Sequence, residues 1–227
     1  MKWHCVLVAA WLLSTGWLPA HAADSCPPGP APVTTAQLDA AEKRDRGFLW
    51  EIERDGRKSY LYGTLHVGRP EWMRPGPRVS AAFDASEVLA LEIDPTDAGV
   101  KSELALTGTE PPMAVPRAIK ARLARQMAAA CLPENALGAM APAMQAVLLG
   151  VFEARWAGLD PSYAQEQALA KRAHETDRSI VSLETVALQK QVLVPAAPKE
   201  ALAMIEGMLD QLESGTGRRV IARLADA

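Results

Sequence analysis

The chain has 227 residues, of which 49% are hydrophobic and 22% are charged, and its formal net charge is -3. This composition is typical of a globular protein and excludes a largely disordered chain, while the length favours one domain with a sizeable core. The mild acidity argues against nucleic acid or an anionic membrane surface as the main partner.

Residues 1–22 have the pattern of an export signal. Lys2 precedes an apolar run over residues 6–18, and the letters AHA at 20–22 match the small-x-small pattern of a cleavage site. The run is shorter than the roughly 20 residues that a membrane span needs, and no second run of that kind follows. We therefore expect a periplasmic or secreted protein whose mature chain begins near Ala23 and has no membrane span.

Residues 23–46 are predicted to form a proline-rich leader and a short helix. The letters CPPGPAP at 26–32 are typical of a polyproline-like segment, and a helix is expected to follow it as far as Lys43. Cys26 and Cys131 would remain after signal cleavage. In an oxidising compartment they could pair or stay unlinked, and the sequence leaves both alternatives open.

A β-hairpin is predicted at the start of the remaining domain, residues 47–227. Apolar and polar residues alternate over residues 48–53, and a second strand is expected over residues 59–66. Asp55 and Gly56 stand between the two strands, and both residue types tolerate the positive φ of a tight turn.

His66 ends the second predicted strand and is the first candidate for a functional side chain. It is flanked by Gly63 and Gly68, which can adopt positive φ and let a ligand approach the backbone closely. Two interpretations stand at this point. His66 is either part of a site or the solvent-exposed end of an edge strand.

Residues 77–86 are predicted to form a helix, and residues 87–93 a mostly apolar strand of the kind that is covered on both faces. Glu92 is the exception in this strand. A carboxylate in such a setting is costly unless it is paired or bound to a cation. The alternative is that Glu92 lies at the exposed end of the strand.

From residue 98 onward the pattern is mainly helical. Helices are expected over residues 116–130, in the Met-rich stretch 133–159, after residue 160, and over 185–194, 199–212 and 217 onward, with one short strand over 179–183. We therefore predict an α+β fold, in which an N-terminal β-hairpin and short strands form a small sheet beside a large helical portion.

Three blocks stand in a fixed order: LWEIERDGRKSYLYGTLHVG at 49–68, EVLALEID at 87–94, and GLDPSYAQEQALAKRAHETDRSIVSLETVALQ at 158–189. Together they resemble the TraB/GumN family, which includes the Tiki-type metal-dependent proteases. The resemblance implies a metal-dependent hydrolase-like site at the ends of the strands, acting on a peptide or protein substrate.

The resemblance also assigns residues to that site. The family's Gly-x-x-His falls on Gly63 and His66, its strand glutamate on Glu92, and its Leu-Glu-Thr glutamate on Glu184. Imidazole and carboxylates bind a divalent metal ion, which lowers the pKa of water and polarises a carbonyl. We expect His66, Glu92 and Glu184 as ligands and Glu92 or Glu184 as a general base. Glu184 could instead be a carboxylate that the helix dipole favours at a helix N-terminus.

One departure from the family bears on activity. Family members carry a second Gly-x-x-His near the C-terminus, and this sequence has none after His174. The expectation is therefore a C-terminally incomplete domain that binds its metal weakly and is impaired as an enzyme. Two other functions stay open: a non-catalytic peptide-binding or inhibitory periplasmic protein, and an interaction protein that packs its Met-rich helices on a partner.

Overall fold

The computed structural model describes residues 26–30, 32–40, 43–105 and 113–226, so the predicted signal segment lies outside the described residues. The helices in chain order are α1 (Thr35–Ala40), α2 (Pro77–Ala85), α3 (Ala98–Ala105), α4 (Arg117–Ala129), α5 (Pro142–Phe152), α6 (Gln165–Glu175), α7 (Val186–Leu193), α8 (Pro198–Ser214) and α9 (Thr216–Asp226). The strands are β1 (Leu49–Arg54), β2 (Arg57–Tyr62), β3 (Val88–Leu91) and β4 (Ser179–Ser182). Short 3-10 helices cover Pro70–Met73, Glu153–Ala157 and Pro161–Tyr163. The α+β prediction is confirmed.

The predicted hairpin is present. β1 and β2 pair antiparallel, with Trp50 opposite Leu61. Asp55 and Gly56 form the turn with φ of 52° and 72°, the positive values that a two-residue hairpin connection requires. The tight turn therefore sets the register of the pair.

The second strand of the hairpin ends earlier than predicted. Gly63 still donates its N–H to the Phe48 carbonyl at 2.9 Å, but β2 itself ends at Tyr62. The N–H of Leu65 donates to the Gln165 side chain at 3.1 Å, because α6 packs against the chain at this point. His66 therefore lies in a loop that α6 holds, and the prediction of a strand reaching His66 is wrong.

The other two strands form a separate parallel pair. β3 pairs with β4, with Leu89 opposite Ile180, so the described strands make two two-stranded sheets instead of one. Val88 and Val181 are 48% and 47% exposed. The expectation that this strand is covered on both faces is therefore wrong for the described part of the chain. α6 covers one side of the pair, where Leu89 and Ile180 contact a cluster of Phe83, Leu169 and Ala173.

The largest apolar core lies among the helices of the second half. Its fully or almost fully buried side chains include Leu123 from α4, Leu149 from α5, and Ile205 and Leu209 from α8. Met140 packs against this cluster, in line with a core role for the Met-rich stretch. Within the described ranges, no helix is both long and apolar enough to cross a membrane.

The leader is joined to this helical part by a disulfide. Cys26 and Cys131 are bonded, with their Cα atoms 5.6 Å apart, and Cys131 lies just after α4. The end of the leader also contacts the domain, because the Asp45 carboxylate accepts the N–H groups of Arg78 and Val79 at 2.9 and 3.1 Å. These are the first orphan donors of α2, so a residue of the leader caps that helix.

Gly63 and Gly68 differ in what surrounds them, and neither has the positive φ that the sequence suggested. A Cβ atom at Gly68 would lie 2.1 Å from the Tyr163 carbonyl oxygen, whereas at Gly63 the nearest neighbour would be the Phe48 carbonyl oxygen at 3.8 Å. The first distance is a clash with backbone, and the second is an ordinary contact. Position 68 therefore requires glycine because the backbone at Tyr163 approaches it closely, and not because of its own backbone angles.

We expect Gly68→Ala to lower the free energy of unfolding by about 1–3 kcal/mol, since overpacking against backbone costs about this much. Gly63→Ala is the matched control and should change stability by no more than about 0.5 kcal/mol. Urea denaturation of both variants measures the difference. Equal effects of the two substitutions would contradict this account of Gly68.

Candidate functional site

The loop that carries His66 is fixed on both sides of the histidine. Before it, Leu65 is bonded to the side chain of Gln165 at the start of α6. After it, Gly68 and Asp160 exchange both backbone hydrogen bonds, at 3.0 and 2.8 Å. Asp160 is buried, and its carboxylate accepts a bond from Arg155 at 2.7 Å. The position of His66 is therefore determined by segments about 100 residues away in the sequence.

Glu92 and Glu184 lie beside each other at the carboxyl ends of β3 and β4. The backbone hydrogen bonding of the pair continues past the strands, since Glu184 donates its N–H to the Glu92 carbonyl at 2.8 Å. The Glu92 side chain is 60% exposed, so the alternative of an exposed strand end describes it correctly. Its Oε2 accepts a bond from Gln189 of α7 at 3.3 Å.

The structure brings His66, in the loop after β2, close to Glu92, which directly follows β3. The Nε2 of His66 is 3.9 Å from the Oε2 of Glu92, and the His66 side chain is 71% exposed. Both groups are therefore close to each other and open to solvent or a ligand. The backbone places Glu184 next to Glu92, and a role for the Glu184 side chain stays a prediction.

Glu166 is a further member of this cluster, and no pattern in the sequence points to it. Its Oε1 is 2.8 Å from His66 Nδ1, and the hydroxyl of Thr64 donates to the same oxygen at 2.8 Å. Its side chain is only 16% exposed. Glu166 lies in the third sequence block, but only the docking of α6 on the His66 loop brings the two residues together. No local pattern could have identified it.

The contact shifts the protonation of both partners. The hydrogen bond to Glu166 is the main reason that the pKa of His66 lies above its ordinary 6.5, and the charges of Glu166 and Glu92 raise it further. Burial alone would raise the pKa of Glu166, but the hydrogen bonds from His66 and Thr64 outweigh burial, so this pKa lies below its ordinary 4.5. Imidazolium and carboxylate therefore stabilise each other.

These directions predict a pH window for stability. The His66 contribution is present below pH 6.5 and is lost as the pH rises through its higher folded pKa. The Glu166 contribution is present above pH 4.5 and is lost as the pH falls through its lower folded pKa. The metal-free wild type should exceed Glu166→Gln in free energy of unfolding by the largest amount between pH 4.5 and 6.5. The difference should be at most about 1 kcal/mol because His66 is exposed.

Urea denaturation from pH 4 to pH 9 measures this difference, with Glu175→Gln on the same helix as the control. The Glu175 side chain is 58% exposed and faces Lys171 at 3.7 Å, away from the His66 contact. A stability difference that does not vary with pH would contradict the prediction.

The donor atoms suit a divalent cation. Imidazole nitrogen and carboxylate oxygen are common zinc ligands, and in a tetrahedral site two donors at about 2.1 Å from the ion lie about 3.4 Å apart. His66 Nε2 and Glu92 Oε2 are 3.9 Å apart, so a small movement of these exposed side chains would bring both to one ion. Among the residues that the structure describes, no three His, Cys, Asp or Glu side chains are placed to hold one ion together. The structure thus brings two of the expected ligands, His66 and Glu92, close together, and metal binding by them or by Glu184 stays a prediction.

A second histidine also lies near a carboxylate. His174 Nε2 is 2.6 Å from the Thr96 hydroxyl and 3.5 Å from Asp94 Oδ2. The Asp94 carboxylate is bonded to the backbone N–H of Thr96, as in a tight turn after a strand. These contacts hold together the turn that follows β3, which is a structural role. The His174 side chain is 57% exposed and lies on a solvated helix face.

The comparisons with known proteins give one result. The profile of the TraB/PrgY/gumN family matches residues 48–227, a range that includes His66, Glu92, Glu166 and Glu184. No curated protein and no solved structure matches the chain. The match spans all three sequence blocks and every element from β1 onward.

Proposed function

We propose that this chain, which belongs to the TraB/PrgY/gumN family, is an exported hydrolase that uses a divalent metal ion to cleave peptides or proteins. The observation that carries the proposal is that His66 Nε2, in the loop after β2, and Glu92 Oε2, just after β3, lie 3.9 Å apart. Two side chains of ligand type meet in a solvent-open position, within the range that the family profile matches.

His66 and Glu92 would hold the ion, and the backbone N–H of Glu184 is bonded to the Glu92 carbonyl. When bound, a divalent ion lowers the pKa of water and polarises a substrate carbonyl. The amide of Gln189 orients Glu92 through its hydrogen bond to Oε2. The carboxylate of Glu184 is the proposed general base, which takes a proton from the attacking water and passes it to the leaving amine.

Exposed apolar side chains that are neighbours of these residues in the sequence support a peptide substrate. Leu183 directly precedes Glu184 and is 69% exposed, and Leu188 directly precedes Gln189 and is 45% exposed. Exposed apolar side chains in the segments that carry these polar residues suit an extended peptide, because burying them supplies binding free energy.

Two features support export: the sequence pattern of residues 1–22 and the disulfide. The sequence over residues 1–22 has the signal pattern described above. The disulfide between Cys26 and Cys131 suits an oxidising compartment such as the periplasm. We therefore place the proposed activity in the periplasm or outside the cell.

A peptide-binding protein without catalysis is the second candidate, and a groove favours it. An open groove of about 680 Å³ lies between β1 and α2, a size typical of ligand sites. At its edge the exposed rings of Phe48 and Trp50 stack with centroids 5.6 Å apart. Such a surface could hold an extended chain with no reaction at all.

The test measures cleavage of a fluorogenic peptide library by chelator-treated protein to which Zn²⁺, Mn²⁺ or Co²⁺ is returned. We expect cleavage only with an ion present, and a loss of about 100-fold or more in kcat for Glu184→Gln if it is the general base. Glu175→Gln is the matched control. Ion-independent peptide binding without cleavage would favour the second candidate, and cleavage that persists without any ion would contradict the metal-dependent mechanism.

A further inference from the structure

The geometry around His66 is asymmetric, and the asymmetry concerns its two ring nitrogens. Nδ1 faces the Glu166 carboxylate at 2.8 Å, whereas Nε2 faces Glu92 at 3.9 Å on the solvent side. The first distance is that of a charge-assisted hydrogen bond, and the second is too long for one. The two ring nitrogens therefore have different partners.

Glu166 is itself held in place. Gln165, its neighbour in the first turn of α6, is bonded to Leu65, and the amide of Gln165 also donates to the Tyr62 hydroxyl at 2.7 Å. The hydroxyl of Thr64 donates to the same Glu166 oxygen that faces His66. The other oxygen, Oε2, is buried and has no hydrogen-bond partner within the described part of the chain. The hydrogen bonding of this carboxylate is thus directed at the His66 loop.

We propose that Glu166 is a positioning residue that keeps the proton of neutral His66 on Nδ1 and thereby presents Nε2, with its lone pair free, to a ligand. An ionised carboxylate can only accept hydrogen bonds, so the nitrogen that faces it must carry the proton. In the neutral ring the other nitrogen is then the acceptor. Carboxylates that bond a histidine in this way orient the ring and raise its basicity as a metal ligand.

The tautomer of His66 does not depend on the proposed function, whereas the effect of Glu166 on metal affinity rests on it. A merely structural role for Glu166 would leave the tautomer unchanged when the carboxylate is replaced. The two roles are therefore separable by a measurement on the ring itself, made on metal-free protein at a pH where His66 is neutral.

The experiment records long-range ¹H–¹⁵N correlations of the histidine rings in uniformly ¹⁵N-labelled, metal-free protein, with His66→Gln used for assignment. The wild type should show His66 protonated at Nδ1. Glu166→Gln should shift the ring toward a mixture of the two tautomers, and Zn²⁺ titration should show a 10–100-fold loss of affinity. Glu175→Gln should match the wild type in both readouts.

Thr64→Val is the second variant. It removes the hydroxyl that supports Glu166 but keeps the carboxylate, so it should give a smaller shift in the same direction. Wild-type His66 protonated at Nε2, or an unchanged tautomer in Glu166→Gln, would overturn the proposal. A wild type that has the expected tautomer but neither binds metal nor cleaves peptide would refute the proposed function and leave the positioning role of Glu166 intact.

Discussion

Replacing His66 by alanine is expected to weaken the binding of a divalent cation by at least about 100-fold and to abolish metal-dependent peptide cleavage. The substitution removes Nε2, the atom that lies 3.9 Å from Glu92 Oε2. Structural zinc sites with four ligands are worth about 10 kcal/mol or more, so a single ligand accounts for a few kcal/mol. A change of about 1.4 kcal/mol in binding free energy corresponds to a tenfold change in affinity.

The matched control is His174→Ala. His174 is also exposed and also lies near a carboxylate, Asp94, at 3.5 Å, but its ring nitrogen is bonded to Thr96 in a closed turn. Calorimetric titration with Zn²⁺ and the fluorogenic assay should therefore show little change in this variant. Unchanged cation affinity in His66→Ala, or an equal loss in His174→Ala, would show that the cation binds elsewhere.

Removing the disulfide should have the largest effect on stability. Cys26 and Cys131 are 105 residues apart, and a crosslink closing a loop of this length restricts the unfolded chain strongly. We expect the double variant Cys26→Ser, Cys131→Ser to lose about 2–5 kcal/mol of unfolding free energy. In a chain of this size that corresponds to a fall of roughly 4–20 °C in Tm.

Denaturation with and without dithiothreitol measures this effect and supplies its own control. Reduction should destabilise the wild type to the level of the double variant, and the double variant itself should not respond to reductant. The disulfide anchors the leader to the end of α4, so the N-terminal part should also become more sensitive to protease. A wild type whose stability does not change on reduction would contradict this role of the bond.

The elements of the fold that could be predicted are those with local causes. Asp55 and Gly56 predicted the hairpin turn, because positive φ at two consecutive residues is a property of those residue types. Gly215, with φ of 63°, ends α8 for the same reason. The division of the strands into two separate pairs has no local signal, since it depends on which strand edges meet in space.

Some residues of the candidate site are also indicated by the sequence, and others become apparent only in the fold. His66 and Glu92 were visible in the sequence because a histidine beside glycines and a carboxylate in an apolar strand are unusual there. Glu166 was not visible, because its partner is 100 residues away and a glutamate in the first turn of a helix is ordinary. The sequence does not decide whether Cys26 and Cys131 pair, because pairing depends on the distance between them in the fold.

Anomalous diffraction at the metal absorption edge, from crystals grown with Zn²⁺ or Mn²⁺, tests the central claim most directly. One divalent cation is expected to bind between His66 Nε2 and the Glu92 carboxylate, while the Glu166 carboxylate stays hydrogen-bonded to Nδ1. The account predicts a peak about 2.0–2.3 Å from both His66 Nε2 and a Glu92 oxygen. A peak at His174 and Asp94 instead, or no peak at a solvent-open His66, would contradict it.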